Sequence, residues 1–336
     1  MIAESHTPRA LERATSPLVR AYAESSTTPK RRVEVLDAET TEERYYSLRD
    51  RSQVLVDQGR LDAALEVLRE ALQVAVELDD ESLVAMAKCN VAALSISLGN
   101  TSEHIADLRA VLMKNFSAET SYRAAYNLSH AYELQKEFKK ALFYAQIARE
   151  RALAAEDHLY VAKSLNQIGN GLVGESYFLK AVRRYQEALR LMDRGLNNLT
   201  VPPRISCSYC LIVLGQVHEG MMQLFRSLRW MKRHRALPVY QAWAHLFLCC
   251  GYLELGRFRR AWLHGMKARS LADQTGDYGA IKSSLFMLGE VERSAGDSAA
   301  SYQWFAEMQR RFFPDSPEMP ELMSQIGMTR VVNLRA

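Results

Sequence analysis

The sequence predicts an all-α protein, a right-handed α-solenoid of about seven stacked helical hairpins. Three observations carry this. From about residue 41 the apolar residues recur at three- and four-residue spacing, the period of a helix with one buried face. No stretch alternates apolar and polar residues long enough to make a strand. A small residue returns near every fortieth position, at 52, 92, 129, 169, 215, 249 and 289, in steps of 40, 37, 40, 46, 34 and 40.

The clearest unit is Gln167-Ile168-Gly169, then Leu172, Phe178, Ala181, Tyr185 and Ala188-Leu189. Small residues at Gly169 and Ala181 let two helices approach closely, and Leu172, Phe178 and Tyr185 fill the layer between them. The frame returns at Gly59, Leu61, Ala64, Leu68 and Ala71-Leu72, and again at Leu128, Ser129, Tyr132, Phe138, Ala141 and Ala148. Leu248, Cys249, Tyr252, Gly256, Phe258, Ala261 and Ala268 supply a fourth unit, and Leu288, Gly289, Gly296 and Phe305 a weaker fifth. Two degenerate units centre on Ala92 with Gly99 and on Leu214 with Gly215.

This pattern, over roughly residues 42–313, resembles the tetratricopeptide repeat. Most steps exceed the roughly 34 residues of the standard repeat. In that lengthening the chain resembles the arrays of kinesin light chain, the Leu-Gly-Asn adaptors, MalT-type regulators and Gram-positive peptide-pheromone receptors. The resemblance implies a binding protein without chemistry of its own: a scaffold, adaptor or signalling regulator.

Residues 1–40 carry Ser25-Ser26-Thr27-Thr28-Pro29 and Lys30-Arg31-Arg32 without sustained periodicity, and are expected to form a flexible tail. An N-terminal array is expected over 41–195 and a C-terminal one over 196–313. The joint is placed at the long step of 46, where Gly195 to Pro203 stops a helix. Residues 314–336 should hold a capping helix opened by Pro320, with Leu322, Met323 and Ile326 on one face, and a tail. Charge divides the array too. From Asp37 to Glu81 stand 13 Asp/Glu against 5 Lys/Arg, a balance of −8; from Arg226 to Arg269, 10 Lys/Arg against one Glu, a balance of +9.

Met1 to Arg20 has no apolar run of the secretory kind, and Leu246 to Leu253 is too short to span a membrane, so a cytoplasmic location without membrane insertion is expected. Five cysteines, an odd number, fit a reducing compartment. No nucleotide-binding, zinc-protease or nucleophile-elbow motif occurs, so neither an enzyme nor a cofactor is expected. Cys207-Ser-Tyr-Cys210 has metal-ligand spacing, with His218 and Cys249-Cys250 as conceivable partners. Small packing residues are the commoner use of such cysteines, and no metal is expected.

A ligand should be read from the outward positions of each first helix. Two residues before the small position stand Asn90, Asn127 and Gln167; one after it, His130, Asn170 and Gln216. Arg123 and Lys163 lie six before it, and Asn166 three before. Side-chain amides donate and accept at once, which suits the backbone of a bound peptide. The resemblance implies such a use of Asn, and Arg123 with Lys163 would favour an acidic ligand. In the other half the equivalent positions are Val213, Phe247 and Met287, an apolar groove. A protein or peptide partner is therefore expected. The alternative is nucleic acid held by the basic cluster of Arg226, Arg229, Lys232, Arg233, Arg235, Arg257, Arg259 and Arg260, interleaved with Trp230, Phe258 and Trp262. Arginines beside such aromatics also occur on ordinary solvated helix surfaces.

Overall fold

The computed structural model describes residues 40–192, 195–329 and 331–336, and the tail expected over 1–40 lies, but for Thr40, outside the described residues. Thr41–Ala336 form one unit. Seven hairpins follow one another: α1 (Thr41–Asp57) with α2 (Leu61–Glu77), α3 (Glu81–Ser97) with α4 (Ile105–Lys114), α5 (Ala118–Leu134) with α6 (Phe138–Ala154), and α7 (His158–Gly174) with α8 (Phe178–Leu191). Then come α9 (Val201–Val213) with α10 (Val217–His234), α11 (Pro238–Glu254) with α12 (Phe258–Thr275), and α13 (Tyr278–Ala295) with α14 (Ser298–Phe312), closed by α15 (Met319–Gln325). No strand occurs among the described residues. The protein is an α-solenoid of helical hairpins.

Local chemistry sets the punctuation. The turn inside each hairpin contains one residue with left-handed backbone, at Gly59, Gly99, Lys136, Ser176, Gly215, Gly256 and Gly296. Glycine fills five of these seven places because it alone reaches positive φ without a Cβ penalty. Asp80, Ser117, Asp157, Asp277 and Asp297 cap the helices that follow them with side-chain oxygens on free backbone N–H groups.

The small positions at 52, 92, 129, 169, 249 and 289 are all buried at helix crossings. A Cβ on Gly169 would stand 2.5 Å from the ring of Tyr185, and one on Gly289 2.6 Å from that of Phe305. Position 215 is different. Gly215 is exposed, outside α9, with φ +84°, and is the turn glycine of its hairpin. The packing residue of that repeat is Ser208, fully buried, whose carbonyl would meet a Cβ on Gly220 at 2.6 Å. With 208 in place of 215 the steps become 40, 37, 40, 39, 41 and 40, so the irregular 46 and 34 vanish. A Leu-Gly pair serves both a tight crossing and a positive-φ turn, and Leu214-Gly215 imitates Leu288-Gly289.

The loop at 192–200 is longer than its counterparts, but α8 and α9 beside it are shorter, so the period survives. One core runs across it, from Val173, Ala181 and Tyr185 through Val201, Ile205 and Tyr209 to Phe247 and Phe305. At the far end α15 packs on α13 and α14. Of the three apolar residues expected to share its inner face, only Met323 is buried; Leu322 is exposed within the helix, and Ile326 is exposed just beyond its end at Gln325.

The first helices of successive hairpins touch one another, α3 with α5, α5 with α7, and so on to α13, while the second helices touch only their neighbours in sequence. The first helices therefore form the crowded inner layer and the second helices the splayed outer one.

Candidate functional site

Five of the eight groove residues expected from the sequence meet in one cavity of about 380 Å³. Asn90 of α3, Arg123 and Asn127 of α5, and Lys163 and Asn166 of α7 line it, with Tyr126 and Tyr160 between them and Tyr240, the loop residues Asn198 and Leu199, and Pro202 and Pro203 of α9 on the far side. A second cavity of about 660 Å³ shares Asn90, Ala93 and Arg123 and continues along α3 and α1 to Tyr45. Side chains as much as 76 positions apart in sequence converge here because three inner helices present the same face at a period near 40 residues.

The polar groups of this cavity differ in how far they are used. Asn127 donates from Nδ2 to the Cys89 carbonyl at 2.8 Å, which ties α5 to α3. Arg123 pairs with Glu119 at 2.9 Å and donates to the Tyr160 hydroxyl at 3.1 Å. Lys163 stands over the Tyr160 ring, and burial together with the neighbouring Arg123 pushes its pKa down. Asn166 Oδ1 is buried with no hydrogen-bond partner among the described residues. A buried carbonyl oxygen left open costs about 1–3 kcal/mol and marks a place where a donor fits. His130, half-buried on α5, is not part of this lining.

Gln167 and Asn170 belong to a different arrangement. Both donate to Glu133 Oε2, the Asn170 bond measuring 3.3 Å, and Asn170 Oδ1 accepts from the Tyr185 hydroxyl at 2.8 Å. Glu133 thus held pairs through Oε1 with Arg335 at 3.4 Å. Arg335 also lies over the Trp243 ring, 5.0 Å from its centroid, and its carbonyl accepts from Lys136 Nζ at 3.1 Å. Asn333 donates to the Val173 carbonyl at 2.6 Å and to Ser176 Oγ at 3.1 Å, and accepts from the Tyr209 hydroxyl at 3.3 Å. The Leu334 amide donates to the same hydroxyl, its carbonyl accepts from Ser283, and its side chain is buried. Met328 N donates to both oxygens of Glu290 at 3.2 Å.

Residues 328 and 333–335 thus lie on the inner helices from α5 to α13. The corrected frame explains the partners: Asn170, Tyr209 and Glu290 each follow the small residue by one, Trp243 and Ser283 precede it by six, and Glu133 follows it by four. Sequence reasoning missed Glu133, Tyr209, Trp243, Ser283 and Glu290. The signal for Tyr209 was hidden by placing the small residue at 215. Of the apolar positions, Phe247 is buried and stacks on Tyr209 at 4.4 Å, while Val213 and Met287 line a cavity of about 550 Å³ beside the segment.

The eight basic residues from Arg226 to Arg260 are all exposed, on or next to the outer helices α10 and α12, and none makes an ion pair among the described residues. Trp230 stacks on His234 and packs on the core, as do Phe258 and Trp262. The cysteines are free and buried or half-buried; burial pushes the thiols of Cys89, Cys207 and Cys250 up to about 12. Neutral thiols of this kind pack as small apolar groups.

His245 and His264 share a hydrogen bond of 2.9 Å between their Nδ1 atoms. Burial, then His264, Lys232 and Lys267, pushes His245 down to about 3, and burial with Lys232 lowers His264. Unfolding returns His245 to about 6.5, so as pH falls the unfolded chain takes up the proton first. The stability present above pH 6.5 is then lost progressively toward pH 3, by about 2 kcal/mol for this ring between 6.5 and 5. Urea titrations at pH 7 and 5 should show that loss in the wild type and a smaller one in His245→Phe; equal losses would disprove the assignment.

Hairpins of this length stacked with a groove along their first helices define a tetratricopeptide-type repeat fold. No protein-family model and no curated protein matches the chain. Among solved structures it is similar to NprR in complex with its cognate peptide NprX (TM-score 0.65, 14% identity, 84% of this chain and 79% of that chain). It is similar also to aspartyl phosphate phosphatase F from Bacillus subtilis (0.60, 12%, 81% and 72%) and to a tetratricopeptide repeat protein from Parabacteroides merdae (0.53, 14%, 85% and 99%). Among the described residues no helix is long and apolar enough to cross a membrane.

Proposed function

We propose that the protein is a non-catalytic regulatory scaffold or sensor that captures a peptide segment of a partner on its inner helices, and that Asn90, Arg123, Asn127, Lys163 and Asn166 contact it. The observation that carries this reading is the 380 Å³ cavity into which three successive inner helices bring these residues, with Asn166 Oδ1 buried and unpartnered. NprR, similar in fold, is solved with a bound peptide. Binding rather than catalysis is favoured by the condition of the charged groups: Arg123 is neutralised by Glu119 and Glu133 by Arg335. A cytosolic site of action belongs to the same reading, supported by five free cysteines.

The test is selection of peptides from a displayed random library on the purified chain. Asn166→Ala should weaken the selected peptides roughly tenfold, the value of about one hydrogen bond, with an unchanged melting temperature. Equal affinity for wild type and Asn166→Ala, or no enrichment on either, rules the reading out.

A further inference from the structure

We propose that the stretch of groove from α5 to α13 reads an Asn-Leu-Arg turn, and that it is occupied in this structure by Asn333-Leu334-Arg335 of the same chain, which an outside peptide of the same amide–aliphatic–cation pattern displaces. This rests on the peptide-binding reading above and names the ligand class for the other half of the groove.

A segment that only sealed the end of the core would need apolar cover and little else. This one is held by directed polar contacts at each of the three residues. The amide of Asn333 is read on both sides, its Nδ2 by Val173 and Ser176 and its Oδ1 by Tyr209. Leu334 is buried while its amide and carbonyl are matched by Tyr209 and Ser283. The cation of Arg335 sits between the Glu133 carboxylate and the Trp243 face, and Glu133 is itself oriented by Gln167 and Asn170. The backbone is pre-set as a turn: Asn333 Oδ1 also accepts from the Arg335 amide at 3.0 Å, and the Asn333 carbonyl from Ala336 at 3.2 Å. Those contacts come from five successive inner helices and the turn at Ser176, which is what a ligand lying along a solenoid groove would touch.

Space remains beside the segment. The 550 Å³ cavity is bounded by Val331 to Leu334 on one side and by Val213, Cys250 and Met287 on the other, so an incoming peptide has a place to engage before the resident leaves. Resident and visitor would compete for the same donors and acceptors, and apparent affinity falls by the fraction of molecules in which the site is vacant.

The probe is a fluorescein-labelled Val-Val-Asn-Leu-Arg-Ala hexapeptide titrated onto the full chain by fluorescence anisotropy. Arg335→Glu sets a carboxylate against Glu133 and loosens the resident without altering a groove residue. Asn333→Ala, which keeps the charge and the apolar cover, is the second variant in case the first misfolds. Each should bind the hexapeptide at least roughly tenfold more tightly than wild type, because self-occupancy no longer masks the site. Glu133→Gln added to either should abolish the gain. Equal affinity in wild type and both folded variants overturns the proposal. If library peptides that require Asn166 still bind all forms alike, only this proposal falls; if no peptide binds any form, the peptide-binding reading falls with it.

Discussion

Replacing Arg293 by Ala is expected to lower stability by about 3 kcal/mol, because it strands a carboxylate in the core. Glu290 is fully buried on α13, and its Oε2 pairs with Arg293 Nη2 at 3.0 Å one turn away. Without Arg293, the Met328 amide is the partner that remains to Glu290. Breaking a buried pair from one side typically costs 3–5 kcal/mol, since the remaining ion keeps its desolvation penalty and loses its counter-charge. The lower end applies here, because Arg293 Nε is itself buried without a partner and that cost is removed by the substitution. Replacing both residues, Glu290→Leu with Arg293→Met, should recover most of the loss, as apolar replacements of buried pairs commonly do. Guanidinium titrations of Arg293→Ala and of the double variant measure this directly. A single-variant loss below about 1 kcal/mol would show that water reaches Glu290 and that the pair is not buried in solution.

The second large effect is expected at Gly220, the first-turn residue of α10. An added methyl would come within 2.6 Å of the Ser208 carbonyl and 2.8 Å of Ile212 Cγ1 on α9. Helix propensity alone would reward Gly→Ala by about 0.8–1 kcal/mol. Overpacking costs about 1–3 kcal/mol, and more where the obstacle is backbone that cannot rotate away. The clash therefore wins: Gly220→Ala should lose about 1 kcal/mol and Gly220→Val about 3 or more. Gly256 separates this cause from the other use of glycine. A Cβ there meets nothing within 4 Å, yet its φ is +65°, so Gly256→Ala should lose about 1–2 kcal/mol through the left-handed conformation alone. Melting curves that rank Gly220→Val above Gly256→Ala bear this out, and the reverse order refutes it.

Helix, hairpin and period were legible because each is encoded within one repeat. The three- and four-residue apolar spacing, the aspartates that cap and the turn glycines all act on neighbours in the chain. The convergence of Asn90, Arg123, Asn127, Lys163 and Asn166 was legible for the same reason, since equal frame positions on stacked helices share a face. The reading failed at 214–215, where one dipeptide satisfies two different local demands. Only the burial of Ser208 and the φ of Gly215 tell which one is met.

What the sequence by itself determined, then, is the solenoid, its period and one polar face. Tertiary structure alone decided which of the polar groups on that face are paired, and with what. Glu133 and Arg335 stand 202 positions apart, and nothing in the pattern near either residue refers to the other. Their pairing follows from the return of 333–335 along the inner helices, a contact fixed by packing at long range rather than by periodicity. The same return divides the expected amide ladder: Asn166 Oδ1 has no hydrogen-bond partner among the described residues, while Gln167 and Asn170 hold Glu133 in place.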